Sequence, residues 1–442
     1  MSYPLSRHRS TRIALIGATA AAALLLAGCG SDGAADPGNV ASVTDIASSS
    51  SAAASAAAAS PAAAASAAAG SAAGGSAAGG SAAGGATAVT VTITAADGCT
   101  VEPNTVPAGP VTFTISNVDA TAVSEVHLMG GDRIRGEREN LAPGFDGNFS
   151  VTLDGGSYQV LCPGAATETQ PFTVTGKAAQ ASGDVNDLLA KATSDYSEYV
   201  STQADYLVGA TAELATALKS GDLKKSQQAY AKARPFYERI EPVAESFGDL
   251  DPDIDARDGD VPAAQWKGFH QIEKALFVDK SVAKAEPFMA DLTSNVAKLK
   301  SLTAELAKGT EAGDGKGYQP DEVANGASSL LEEVQKSKIS GEEERYSHID
   351  LLDFAANVEG SQQAFAALTP ALDKIDPQLA PPISARFAAL NTLLESHRDA
   401  AALGGYALYT DLSKAEVKAL ADALLAVQEP LSQVSAKVAS AG

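Results

Sequence analysis

Near residue 180 the hydrophobic period of this chain changes, and the change sets two architectures in one polypeptide. Upstream, AVTVTITA (88–95), VTFTISN (111–117), FSVTLD (149–154), YQVLC (158–162) and PFTVTG (171–176) alternate β-branched or aromatic residues with polar ones. A period of two puts alternate side chains on opposite faces of a strand. Turn sequences such as PNTVPAGP, DGG and PG separate the runs. Short strands at this spacing predict one small β-sandwich over residues 88–177. From residue 184 onward apolar residues recur at three- and four-residue spacing, as in NDLLAKATSDYSEYVSTQADYLV and KAEVKALADALLAVQEPL. That pattern predicts an all-α antiparallel bundle over residues 184–442, so the fold class is multidomain, β then α.

The first residues are neither. Arg7, Arg9 and Arg12 precede IALIGATAAAALLL (13–26) and then LAGC, Leu26 to Cys29. A basic start, a short apolar core and small residues before a cysteine read as a lipoprotein signal peptide over residues 1–28. By that pattern Cys29 becomes the lipid-modified first residue, and the chain is exported and anchored to the outer face of the cell membrane. Residues 29–87 are almost entirely Ala, Ser and Gly, including GSAAGGSAAGGSAAGG (70–85). Such a segment buries too little to offset its chain entropy and reads as a tether. A coil of about 59 residues spans roughly 40 Å.

The formal net charge is −22. Without residues 1–28 the balance is 29 basic against 54 acidic residues. So acidic a chain is unsuited to nucleic acid, which needs a basic surface. It suits cation capture, because a negative field concentrates cations.

Few residues are equipped for chemistry. GFHQIEKALF places His270 and Glu273 at i and i+3 on one helical face. By spacing alone the pair serves either as metal ligands or as an ordinary hydrogen-bonded pair. Just upstream, YERIEPVAE sets Glu238, Glu241 and Glu245 at i, i+3 and i+7. Like charges so stacked repel, and a bound cation offsets the repulsion. DLDPDIDARDGD (249–260) suggests a calcium loop, but its sixth position is Ile254 and its twelfth Asp260, so an EF-hand fails. It can still lend one aspartate to a site built elsewhere. One imidazole with several carboxylates favours iron or manganese. HExxH and GxSxG are both absent from the sequence, which leaves peptidase chemistry without a motif. In the strand region, Cys99 and Cys162 form either a disulfide or, with Glu125 and His127, a second metal site. A blue-copper centre is not assembled, because CPGAATETQPFTVTG supplies neither His nor Met after Cys162.

The segments CTVEPNTVPAGPVTFTISN, ARPFYERIEPVAESFGDLDPDIDARDGD, GFHQIEKALF and YSHIDLLDFAANVEG together resemble the EfeO family of bacterial iron-uptake components. The resemblance covers residues 88 to about 440, and the family's GxHxxE signature stands as Gly268, His270 and Glu273. It implies a cupredoxin-like β-sandwich followed by an imelysin-like helical domain. It implies an envelope protein that binds ferrous or ferric iron and delivers it to a membrane iron permease, alongside a haem-dependent peroxidase. The implied ligands are His270 and Glu273, with Glu238, Glu241 and Asp255, and the β-sandwich is implied to take copper or iron. Two other functions are compatible with the pattern: a copper-dependent ferroxidase, and an imelysin-like surface interaction scaffold.

Overall fold

The computed structural model describes residues 86–131, 133–139, 141–178, 183–312 and 316–441. The expected signal peptide, Cys29 and the tether lie outside the described residues. Among the described residues nine strands come first: β1 (Thr87–Thr94), β2 (Gly98–Glu102), β3 (Thr105–Pro107), β4 (Gly109–Asn117), β5 (Val126–Gly130), β6 (Arg133–Arg138), β7 (Phe145–Leu153), β8 (Gly156–Leu161) and β9 (Thr169–Thr175). They form a four-stranded sheet, β2-β1-β4-β7, and a five-stranded sheet, β3-β9-β8-β5-β6. β1 runs parallel to β4, and β3 to β9; the other pairs are antiparallel.

The alternation seen in the sequence sorts side chains as expected. Val89, Val91 and Ile93 of β1, Val111, Phe113 and Ile115 of β4, and Val160 and Phe172 of the other sheet are buried in one core. The Phe113 ring meets Phe149 on its own sheet and Phe172 on the other, at centroid distances of 4.9 and 5.2 Å. Asn117 is buried too, and its amide donates to the carbonyls of Ala120, Val123 and Leu141, which pins the loops at one end.

The helices follow: α1 (Asp184–Lys219), α2 (Leu223–Glu238), α3 (Leu250–Asp255), α4 (Phe269–Phe277), α5 (Val282–Ala285), α6 (Met289–Ala312), α7 (Pro320–Lys336), α8 (Asp350–Ile375), α9 (Ala380–Glu395), α10 (Lys414–Leu431) and α11 (Val434–Ala441). α1 has 36 residues and is about 54 Å long at 1.5 Å per residue. Its buried positions, Leu189, Ala192, Tyr196, Val200, Leu207, Leu214 and Leu218, follow helical spacing and face α2, α6 and α8. These helices share one core, not two bundles in series. Asp222 caps α2 through the Lys225 N–H, and Ser413 with Glu416 forms a capping box on α10. Among the described residues no helix is long and apolar enough to cross a membrane.

Strands and helices fall in one compact unit, tied by charge and hydrogen bonds. β6 presents Arg133 and Arg135 to Glu322 of α7, at 2.8 and 3.1 Å, and Arg138 to Glu332. The Thr152 N–H donates to Asp321 at 2.8 Å, and the Asn325 amide to the Ser150 carbonyl at 2.7 Å.

Candidate metal centre

Two irregular joints gather the polar residues. The first follows α2. The sequence places Glu238, Glu241 and Glu245 on one continuous helical face, but α2 ends at Glu238 and the chain restarts as a 3-10 turn, Glu241–Phe247. Pro242 accounts for the break, since it has no N–H to donate and its ring collides with the preceding turn. The three carboxylates therefore part. Glu238 is fully buried against Arg234. Glu241 accepts from Lys338 Nζ and from the Asn357 amide, each at 2.6 Å. Glu245 turns toward Glu137 of β6.

The second joint is residues 341–349, between α7 and α8. His348 sits there in the left-handed region at φ 61°, a conformation non-glycine residues adopt only when their surroundings hold them. Its N–H donates to the Glu344 carbonyl at 2.7 Å and its carbonyl accepts from Tyr409 N–H at 2.9 Å. The folded-back segment sets Glu343 and Glu344 against α4, and the N–H groups of Tyr346 and Ser347 donate to Glu273 Oε1 at 2.8 and 2.7 Å.

α4 itself is positioned by Gly268. This residue has φ 93°, and a Cβ there would stand 2.1 Å from the Ile254 carbonyl oxygen. Only glycine lets α4 begin so close to the end of α3. His270 thus comes beside Asp255. Its Nδ1 lies 3.0 Å from Glu273 Oε2. Its Nε2 is buried, has no hydrogen-bond partner among the described residues, and lies 3.6 Å from both Asp255 Oδ1 and Glu343 Oε1. Ligand atoms from these three residues all fall within 4.8 Å of one another, as do those of His270, Glu273 and Glu344, and those of Glu238, Glu343 and Asp353.

Four of the other five loop aspartates are spoken for, and Asp249 is exposed. Asp251 accepts from the Tyr237 hydroxyl, Asp253 pairs with Lys267 at 2.7 Å, and Asp258 takes Lys274 at 2.6 Å and Tyr346 at 2.7 Å. Asp260 pairs with Arg257.

Buried cations balance part of this charge. Arg234 is fully buried and contacts Glu238, Asp255, Glu343, Glu344 and Asp353. Lys338 reaches Glu238, Glu241 and Glu343. Burial alone would lower the His270 pKa, but Glu273, Glu343 and Asp255 lift it to about 10. Burial raises Asp255 to about 6 against the pull of Arg234. Glu343 is held well below the carboxylate range: burial opposes this, but Lys338, His270 and Arg257 prevail. A histidine whose Nδ1 is fixed by a carboxylate presents its Nε2 outward, the usual arrangement of a metal-binding imidazole.

Asp255 and Glu343 also line a chamber of about 530 Å³ between the strands and the helices. Glu125, His127 and Glu137 stand on its strand side. His127 Nε2 lies 3.6 Å from Glu125 Oε1 and 3.6 Å from Glu137 Oε2. Cys99 and Cys162 are joined to each other in a disulfide.

Sequence spacing did not point to Arg234, Lys338, Glu343, Glu344, Asp353 or Asn357. The run GEEERYSHID, dense in charge between two helices, was the available signal.

The chain is similar to several known proteins. The imelysin family model (Peptidase_M75) matches residues 192–434. The iron uptake system component EfeO of Escherichia coli K12 is 37% identical over 352 residues, covering 78% of this chain and 89% of that protein. EfeO of Shigella flexneri matches with the same figures. An imelysin-like protein from Psychrobacter arcticum of known structure superposes with a TM-score of 0.40 at 14% identity, over 57% of this chain and 95% of that one.

Proposed function

Because this chain belongs to the EfeO family of iron uptake system components, we propose that it captures iron at the His270 cluster and delivers it to a membrane iron permease. One observation carries the site: a buried His270 Nε2 with no hydrogen-bond partner faces Asp255 and Glu343 at 3.6 Å each. One nitrogen and two carboxylates suit ferrous or ferric iron, a hard or borderline ion. Asp255, His270 and Glu343 are the ligands in this reading. Glu273 Oε2 lies on His270 Nδ1 and its Oε1 accepts from two backbone N–H groups, away from Nε2, so in this reading it orients the imidazole, whereas Asp255 and Glu343, shared with Arg234, face Nε2. Glu238 and Glu241 neutralise Arg234 and Lys338. Iron arrives through the chamber, where the acidic walls gather cations and the two carboxylate ligands are exposed to it.

The finer expectations belong here as well. The two-sheet region supports a cupredoxin-like domain over residues 88–177, ahead of an imelysin-like domain over 184–442. LAGC supports export and a lipid anchor at Cys29. Membership of an iron uptake family supports a membrane permease and a haem-dependent peroxidase as partners.

The test is iron titration of the mature chain, ferrous under argon and ferric as citrate, against His270→Ala and Glu343→Gln. Binding by wild type that both variants lose is the expected result. Undiminished binding by the two folded variants places the site elsewhere.

A further inference from the structure

We propose that Arg234 is a resident counterion filling the second position of a two-cation site, and that it holds the cluster to a single metal ion. The inference rests on the iron-capture reading above. Two donor groups share one carboxylate: Asp255, His270 and Glu343 make the first, and Glu238, Glu343 and Asp353 the second. A carboxylate common to two such groups is how helical proteins bridge metal pairs. Here the second position already holds a cation. The Arg234 guanidinium contacts Glu238, lies 3.0 Å from Asp353 Oδ2 and 3.3 Å from Glu343 Oε1, and so reaches every member of that group; of the first group it also touches Asp255 but leaves His270 Nε2 unengaged.

The guanidinium is fully buried and stacks 5.2 Å from the Phe269 ring centroid. It cannot lose its charge, and unlike a metal ion it cannot leave. Capacity nonetheless remains in this second group. Among the described residues Asp353 Oδ1 is buried and has no hydrogen-bond partner, just as His270 Nε2 has none in the first. Planar donors leave one carboxylate oxygen unused that a spherical ion would engage. The ligand class is a hard or borderline divalent ion, and Arg234 sets how many are taken.

The experiment counts manganese(II) on the full mature chain by equilibrium dialysis and reads it by electron paramagnetic resonance. Wild type is expected to bind one ion, with the spectrum of an isolated centre. Arg234→Met, purified in manganese, is expected to bind two, with an exchange-coupled spectrum. Arg234→Lys keeps the charge and is expected to stay at one. In chelator Arg234→Met melts below wild type, and manganese raises its midpoint by more than it raises that of wild type. One ion on folded Arg234→Met, or two on wild type or Arg234→Lys, overturns the inference and leaves the capture site standing. An Arg234→Met chain that stays unfolded in manganese overturns it too, because the second ion should replace the lost charge. No ion on wild type overturns the capture site itself.

Discussion

At the scale of single residues, protons and metal would compete for one nitrogen in the proposed site. Burial works against a charged His270, but Glu273 and Glu343 lift its pKa to about 10, which favours the protonated ring at neutral pH. A ligating imidazole must be neutral, and metal binding therefore expels a proton. Binding at pH 7.5 is expected to release about one proton per ion in weakly buffered solution, and His270→Ala is expected to lose that release. Affinity rises with pH over this range and falls steeply below about 6, where Asp255 also protonates. Gly268 is a second residue with a definite cost. An alanine there takes a strained φ and meets the Ile254 carbonyl, so Gly268→Ala should lose about 1–3 kcal/mol by denaturant unfolding. The same variant should bind iron more weakly, since it pushes His270 away from Asp255. The pairing of His270 with Glu273 was legible in the sequence because helical spacing is local. Their division of labour was not, since it depends on backbone N–H groups at Tyr346 and Ser347, more than seventy residues away.

At the scale of elements, the breaks matter as much as the helices. The sequence showed where helical periodicity starts and stops, and strand alternation sorted the β core correctly. It did not show that Pro242 would divide the glutamate row, because apolar spacing continues across the break through Ile240 and Val243. Nor could it place Glu343 beside His270, a contact that exists only once the 341–349 joint folds back. The division of the row gives a clear expectation for Glu241. Its carboxylate is the nearest of three around the buried Lys338, so Glu241→Gln should destabilise the metal-free protein by about 1.5–3 kcal/mol, the cost of a hydrogen bond to a charged group, while Glu238 and Glu343 still face the ammonium. Its effect on iron affinity should be much smaller than that of Glu343→Gln. A comparison of unfolding curves and titrations for the two variants separates a structural carboxylate from a ligand.

At the scale of the whole molecule, the strands and helices enclose acidic walls at close range. Glu137 lies well above the usual carboxylate range because of burial and the nearby Glu245. Burial likewise raises Glu245 and Asp251, each to about 7. Groups that hold protons more tightly when folded favour folding at low pH, and this advantage disappears as pH rises through their folded values. In chelator, the melting midpoint is therefore expected to fall by several degrees between pH 5 and pH 8. Glu245→Gln should flatten that slope. The net negative charge was visible in composition, but its concentration between two separately folded patterns was not, because nothing in either pattern says which faces meet. The chamber they form also bears on timing. Asp255 and Glu343 line it, whereas His270 and Glu273 are buried and do not, so on the proposed reading an ion would enter and leave past the same two carboxylates. Uncharged changes in the wall, at Met129 for instance, alter loading and unloading by the same factor and leave the equilibrium untouched. A strong grip need not mean slow exchange here: dwell time can drift without any ligand changing.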